Sequence, residues 1–95
     1  MVRLNWTEQS INDLSNIAEY ISKDSVKYAA IQIRRIREKA QLLKKQPELG
    51  RVVPETQNEK IRELILGNYR IIYYIAGDTQ INILTVHHSA RRLNI

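Results

Sequence analysis

The chain of 95 residues contains no cysteine, which excludes disulfide bonds, thiolate zinc sites and catalysis by a cysteine nucleophile. A glycine-rich loop that could cradle phosphates is missing as well. No apolar run approaches the roughly 18 residues of a membrane-spanning helix, and the opening stretch MVRLNWTEQS lacks the apolar core of a signal peptide. We therefore expect a cytoplasmic protein that does not engage a membrane.

The chain has the size and composition of one small folded domain. Hydrophobic residues make up 43% of the sequence, which is ordinary for a globular protein. We expect residues 1–95 to form a single domain with a small core, whose stability can lean on a partner.

Charge is distributed unevenly along the chain, whose net charge is +5. Residues 1–24 contain two basic and four acidic side chains, whereas residues 26–45 contain seven basic side chains and one glutamate, Glu38. Positive potential of this kind attracts a phosphate backbone or an acidic protein. The alternative is that these lysines and arginines only solvate one face of a helix.

Apolar spacing predicts a strand and then a first helix. Residues 1–6 alternate apolar and polar side chains, as a strand does. Thr7 offers a hydroxyl N-cap for a helix over about residues 8–22. An apolar stripe at intervals of three and four residues supports this helix. The stripe consists of Ile11, Leu14, Ile17, Ala18 and Ile21.

A second helix follows after a short break. Asp24 or Ser25 can cap it, and Pro47 and Gly50 close it near residue 45. Its apolar stripe consists of Val26, Ala29, Ala30, Ile33, Ile36, Ala40 and Leu43. Two helices joined by so short a break form a helical hairpin.

The second half of the chain changes to strand-like patterns. Residues 61–66, 69–75 and 81–88 are rich in β-branched and aromatic side chains, and Gly67-Asn68 is a two-residue hairpin signal. Residues 46–59 are polar and read as an irregular connection. The predicted fold is α+β, in the order β-α-α-β-β-β, with the helical hairpin packed on one face of a small, mainly antiparallel sheet.

The Gly67-Asn68 turn fixes the pairing of its two strands. Leu66 then faces Tyr69, and Ile65 faces Arg70. The more apolar face should contact the helices; it carries Arg62, Leu64, Leu66, Tyr69, Ile71, Tyr73 and Ile75. The other face should be half-exposed; it carries Ile61, Glu63, Ile65, Arg70, Ile72 and Tyr74.

The register of the last strand stays open. With Gly77-Asp78 as a two-residue loop, His87 shares the face of Arg70, whereas a loop of odd length places His88 there. Adjacent histidines on a strand point to opposite faces, and no third ligand stands nearby, so we expect neither a metal site nor a cofactor.

The expected group on this face is chemically suited to RNA. Arg70 can bind a phosphate with its guanidinium, Tyr74 can stack on a base, and one of the histidines can move a proton. Arg91 and Arg92 follow within reach. The alternatives are that Arg70 only pairs with Glu63 and that the histidine only caps backbone groups at the strand end.

Taken together, these segments resemble a known family over nearly the whole chain. The segments are WTEQSINDLSNIAEYI, the basic second helix, LKKQPELGRVVPE, IRELILGNYRIIYYI and ILTVHHSARRL. The chain resembles the RelE/ParE superfamily of type II toxins, also called plasmid stabilisation proteins. The resemblance implies a growth-inhibiting toxin that a cognate antitoxin neutralises.

The resemblance also implies two kinds of target. RelE-like members cut mRNA on the ribosome, and ParE-like members inhibit DNA gyrase. For RelE-like action the catalytic residues would be Arg70, His87, His88 and Arg91. The residues that would contact the target are Arg62, Tyr74 and Arg92.

The antitoxins of this family are small and acidic where they bind the toxin. The basic second helix suits such a partner, and the resemblance makes Arg34, Arg35 and Lys39 the residues expected to contact it. The opening helix and the HxARxL-like ending resemble ParE-like members, and two departures set the chain apart from RelE-like members. Residues 46–59 contain few lysines, and no tyrosine follows the histidines. We therefore expect a ParE-like toxin, with a RelE-like ribonuclease as the alternative.

Overall fold

The computed structural model describes residues 2–89, whose elements follow the predicted order with two additions. The elements are β1 (Arg3–Trp6), α1 (Glu8–Ser22), α2 (Val26–Gln41), β2 (Arg51–Val52), β3 (Ile61–Leu66), β4 (Tyr69–Ile75) and β5 (Gln80–His88). One addition is a 3-10 turn at Leu42–Lys44 that continues α2. The other is β2, which lies inside the connection that was expected to be irregular.

Hydroxyl side chains begin both helices. The Thr7 hydroxyl accepts a hydrogen bond from the backbone N–H of Ser10 at 3.2 Å. Ser25, rather than Asp24, caps α2 and accepts from the N–H of Tyr28 at 3.0 Å. Each cap satisfies an amide that has no partner within its helix.

The five strands form one sheet in the order β1-β5-β4-β3-β2. All neighbours are antiparallel except β1 and β5, which are parallel. A parallel pair needs a crossover connection, and the helical hairpin begins that return path. The α+β prediction is confirmed, as is the β3–β4 pairing, which places Leu66 opposite Tyr69 and Ile65 opposite Arg70.

The core lies between the sheet and the helical hairpin. Leu64, Ile71 and Tyr73 point from the expected sheet face into the same apolar cluster as Ile36 and Leu43 of the helical segment. Burial of each large apolar side chain contributes about 1.5–3 kcal/mol, so this cluster supplies much of the stability.

Two expectations about burial are wrong. The second sheet face is not half-exposed throughout, because Ile72 is fully buried and Glu63 is 1% exposed. The chain after β2 brings Glu55 to this face, where it contacts Arg70. On α1, Ile11 is 51% exposed instead of buried, because α1 packs against β5 and α2 rather than across the centre of the sheet.

A bulge settles the register of β5. The loop between β4 and β5 has three residues, 77–79, closed by a hydrogen bond from the N–H of Ala76 to the carbonyl of Gln80. That odd length alone would place His88 on the face of Arg70. However, the pairing skips Leu84, and the extra residue shifts the register by one. His87 therefore lies opposite Arg70.

The bulge sits where β5 loses its outer neighbour. The pairing of β1 with β5 ends at Trp6 and Ile83. Beyond it, the Asp13 carboxylate of α1 accepts hydrogen bonds from the N–H of Val86 at 3.0 Å and from the hydroxyl of Thr85. Asp13 thus supplies the acceptor that a neighbouring strand would otherwise provide.

The close packing of the Gly50 backbone against Glu63 and Tyr73 yields a prediction. The N–H of Gly50 donates to the Tyr73 hydroxyl at 3.0 Å, and a Cβ there would lie 2.8 Å from that oxygen and against the Glu63 carbonyl. We expect Gly50→Ala to lower the free energy of unfolding in urea by about 3 kcal/mol, since overpacking forces the backbone to move.

The control is Gly67→Asn, in the β3–β4 turn. Gly67 has φ +56° and open space where a Cβ would lie, and asparagine tolerates that conformation. Its cost should stay within about 1 kcal/mol. Equal stability of the Gly50 and Gly67 variants would contradict the tight packing at Gly50.

Candidate functional site

Arg70 of β4, the expected phosphate-binding residue, lies in an ion cluster. Its Nη1 and Nη2 donate to the two carboxylate oxygens of Glu55 at 2.8 and 2.9 Å. Its Nε donates to Glu63. The side chain is 13% exposed. Three of the five guanidinium N–H groups are thus directed at carboxylates of the chain itself.

Glu63 of β3 is the buried centre of this cluster. Its other carboxylate oxygen accepts from Nε of Arg51 at 2.6 Å, so the charges alternate as Arg51, Glu63, Arg70 and Glu55. Two cations and two anions balance, which a buried carboxylate requires. Within residues 2–89, every buried side-chain nitrogen and oxygen has a hydrogen-bond partner.

The ion pair shifts the pKa of both partners. The hydrogen bond from Arg70 lowers the pKa of Glu55 from 4.5 to about 2. The hydrogen bond to Glu55 is also the largest cause that raises the pKa of Arg70, against the opposing effect of burial. Both side chains are therefore charged across the neutral pH range.

A compact turn presents Glu55. Val53 is fully buried, and its carbonyl accepts from the N–H groups of Thr56 and Gln57 at 3.1 and 3.3 Å. Gln57 has φ +53°, which is uncommon for a residue other than glycine. Sequence reasoning missed Glu55 because it lies in the polar connection, and its only signal is an acidic residue after Pro54.

The two histidines lie on opposite faces. His87 is opposite Arg70, and Tyr74 lies on the same face of the sheet. His88 is opposite Tyr69, and their rings meet edge to face with centroids 5.4 Å apart. The structure therefore brings His87, and not His88, to the face of Arg70.

Arg62, the remaining sheet residue of the expected site, does not lie near Arg70, His87 and Tyr74. Arg62 lies on the opposite face from Tyr74. Its Nε donates to the carbonyl of Glu59 and its Nη1 to that of Gly50, both at 2.9 Å. These bonds tie β3 to the preceding connection. Arg91 and Arg92 lie outside the described residues.

The basic helix α2 presents its charges to solvent. Arg34 and Arg35 are exposed and Lys39 is partly exposed. Arg34 lies 3.5 Å from Glu38 one helical turn away, with both side chains exposed, and such pairs contribute only about 0.3–0.5 kcal/mol. The expected antitoxin-contacting residues are thus accessible to an acidic partner.

Residues 2–89 contain no candidate metal-binding site. No group of three histidine or acidic side chains in that part of the chain is placed to hold a metal ion. The arrangement offers a charge-balanced cluster on the sheet and an exposed basic helix, whose positive potential attracts acidic groups.

Comparison with known proteins assigns this architecture to a class. The fold matches the solved structure described as the chromosomal ParDE TA system from P. aeruginosa, with a TM-score of 0.77 and 23% identity over 93% of this chain and 96% of that one. The class is thus that of two helices packed on a mixed five-stranded sheet, as in that toxin–antitoxin system.

Sequence comparison shows the family to which the chain belongs. The sequence model described as the ParE toxin of the type II toxin-antitoxin system parDE matches residues 4–93, and the chain belongs to this family. The chain is also 31% identical to Toxin RelE2 of Caulobacter vibrioides over 91 residues, which is 96% of this chain and 99% of the relative. It is therefore the toxin of a type II pair, and a cognate antitoxin is its partner.

The buried position of Glu63 yields a prediction. In Glu63→Gln the side chain keeps its shape but leaves two arginines facing a neutral group. We expect the free energy of unfolding in urea to fall by about 3 kcal/mol, because the buried amide has one oxygen to accept with and turns its N–H groups toward the other arginine, so that hydrogen bonds to a charged group are lost.

The matched control is Glu19→Gln, an exposed glutamate on α1. It removes the same charge and should change stability by no more than about 0.5 kcal/mol. A Glu63→Gln protein as stable as this control would mean that the cluster does not hold β2, β3 and β4 together.

Proposed function

We propose that this toxin arrests growth by binding DNA gyrase and has no bond-breaking chemistry of its own. The observation that carries the proposal is that three N–H groups of Arg70 are already bonded to the carboxylates of Glu55 and Glu63. An arginine that stabilises a reacting phosphate needs N–H groups directed at that phosphate. Membership of the ParE family supports the same target.

A RelE-like ribonuclease is the second candidate. It is supported by the position of His87 opposite Arg70 and by the likeness to a relative named Toxin RelE2. A histidine beside an arginine can transfer a proton near a bound phosphate. This candidate requires the guanidinium of Arg70 to be released from Glu55 before RNA can bind.

The proposed target implies a cytoplasmic protein. In the described part of the chain, neither helix has the length and apolar character that a bilayer crossing requires. A chain without cysteine also fits a reducing compartment.

The proposed antitoxin surface is one flank of α2 and of the 3-10 turn that continues it. Tyr28, Arg35, Lys39 and Leu42 follow one another at helical spacing of seven, four and three residues. Tyr28 and Leu42 are exposed apolar residues at the two ends of this flank. An acidic amphipathic segment of the antitoxin would place apolar side chains at both ends and carboxylates between them.

The target is tested by two assays on the same purified wild-type chain. We expect it to inhibit supercoiling by purified gyrase. We expect ribosome-bound mRNA to stay intact in primer extension, because the Nη groups of Arg70 are bonded to Glu55. Codon-phased mRNA cleavage with normal supercoiling would contradict the gyrase target and establish the ribonuclease.

The antitoxin surface is tested by charge reversal. We expect Arg35→Glu with Lys39→Glu to raise the Kd for the purified cognate antitoxin at least tenfold and to weaken its salt dependence, since attraction between opposite charges becomes repulsion. The control, Arg3→Glu with Lys23→Glu, makes the same charge change at exposed positions outside α2. An equal loss in the control would show that net charge, and not this flank, governs binding.

A further inference from the structure

We propose that an outer stripe of α2 binds the phosphate backbone of duplex DNA. The stripe is a row of exposed side chains on the solvent side of the helix, beside the flank proposed for the antitoxin. It consists of Lys27, Ala30, Arg34, Arg37 and Gln41. The inference goes beyond the gyrase target, because it concerns a surface that binds DNA without gyrase.

Helical spacing places the five side chains of the outer stripe in one line. Successive members are three, four, three and four residues apart, and these intervals return to the same face of an α-helix. From Lys27 to Gln41 the line is about 21 Å long. Arg35 of the antitoxin flank lies about 100° further around the helix axis than Arg34, so the two surfaces are adjacent but distinct.

The cations of the outer stripe are free to meet a ligand. Within residues 2–89, no carboxylate lies within ion-pair distance of Lys27 or Arg37. Arg34 has only the exposed contact with Glu38 at 3.5 Å. The buried arginine of the sheet cluster, in contrast, is bonded to two carboxylates of the chain itself.

The excess positive charge of the protein comes from this helical segment. Residues 26–45 carry seven basic side chains and one glutamate, whereas the rest of the chain carries eight basic and nine acidic side chains. Positive potential is therefore strongest along α2. Such a field attracts a polyanion and orients it toward the helix.

The ring of Trp6 holds one of these cations in place. The guanidinium carbon of Arg37 lies 6.0 Å from the centre of the Trp6 ring, at the end of β1. Attraction between a cation and an aromatic face restrains the side chain, while the N–H groups at the edge of the guanidinium can still donate to a phosphate. A cation that is restrained in advance loses less conformational entropy on binding.

The composition of the outer stripe favours a phosphate backbone over a peptide. The stripe has no large apolar side chain, whereas the antitoxin flank has Tyr28 and Leu42 at its ends. Its one apolar member is Ala30, which is small enough to let a backbone approach the helix closely. The ligand that fits presents charge along a line, as DNA does with one negative charge per about 1.7 Å of its axis.

The stripe also favours duplex DNA over RNA. Proteins that bind single strands stack the bases on aromatic side chains, and the outer stripe has none. The major groove of double-stranded RNA is too deep and narrow for side chains to read. The major groove of B-DNA is about 12 Å wide and admits an α-helix, so the exposed side of α2 can lie along the phosphates that border it.

The test is a titration of a short labelled DNA duplex with the purified chain, followed by fluorescence anisotropy at several salt concentrations. We expect Lys27→Gln with Arg34→Gln and Arg37→Gln to raise the Kd for the duplex at least tenfold. The slope of log Kd against log salt concentration should fall by about 2–3, because each phosphate contact contributes about 0.9 to it.

The matched control is Arg3→Gln with Lys23→Gln and Lys60→Gln, which removes three exposed cations outside α2. It makes the same change in net charge, and the Kd should stay within about threefold of the wild-type value. An equal loss of affinity in both triple variants would overturn the proposal, because net charge would then govern binding. Tighter binding of the wild-type chain to a single-stranded RNA of the same length would overturn it as well.

A measurement on the wild-type protein covers the case in which the triple variant of α2 does not fold. Trp6 is the only tryptophan of the chain, and its indole N–H resonance reports on the cation above its ring. We expect this resonance to shift on addition of the duplex, with the Kd found by anisotropy. Binding of the duplex without such a shift would overturn the site. It would leave the gyrase target to be decided by the supercoiling assay, since no gyrase is present in these titrations.

Discussion

The buried carboxylate of Glu63 is the constraint on which the sheet and its site depend. A carboxylate with almost no exposure needs cations on both sides, and here Arg51 comes from β2 and Arg70 from β4. Three adjacent strands are thereby fixed at one point. The cluster becomes neutral only when Glu55 closes the far side of Arg70, so the turn after β2 is fixed by the same requirement.

This constraint shapes what the toxin can do. The arginine at the position that RelE-like enzymes would use for phosphate is bonded to two carboxylates of its own chain. The charged surface open to a partner is α2. Residues 26–45, which include this helix, carry seven basic side chains and one glutamate, a net charge of +6 against +5 for the whole chain. This division supports the proposal that the toxin acts by binding its target. The sheet cluster stabilises the fold, and the basic helix is the surface that we propose for the antitoxin.

Local patterns in the sequence predict the helices, the β3–β4 pairing and the core-facing side of the sheet, because caps, apolar spacing and a two-residue turn act over a few residues. The position of His87 depends on a bulge at Leu84 that arises where β1 ends and Asp13 takes over the strand edge. The partner of Arg70 is Glu55, which is distant in sequence and lies in a polar connection without periodicity. Such long-range pairings leave no local pattern. The sequence therefore predicts the face of the sheet on which Arg70 lies, but not its ion pair with Glu55.

The most direct test of this account is a titration of the Glu55 side-chain carboxyl, followed by its carbon-13 chemical shift in the wild-type protein. A carboxylate held by both Nη groups of Arg70 should titrate far below 4.5, at about 2. The carboxyl should therefore stay ionised throughout the neutral pH range. A midpoint near 4.5 would contradict the account, because it would mean that Arg70 is open to solvent and available to a substrate phosphate.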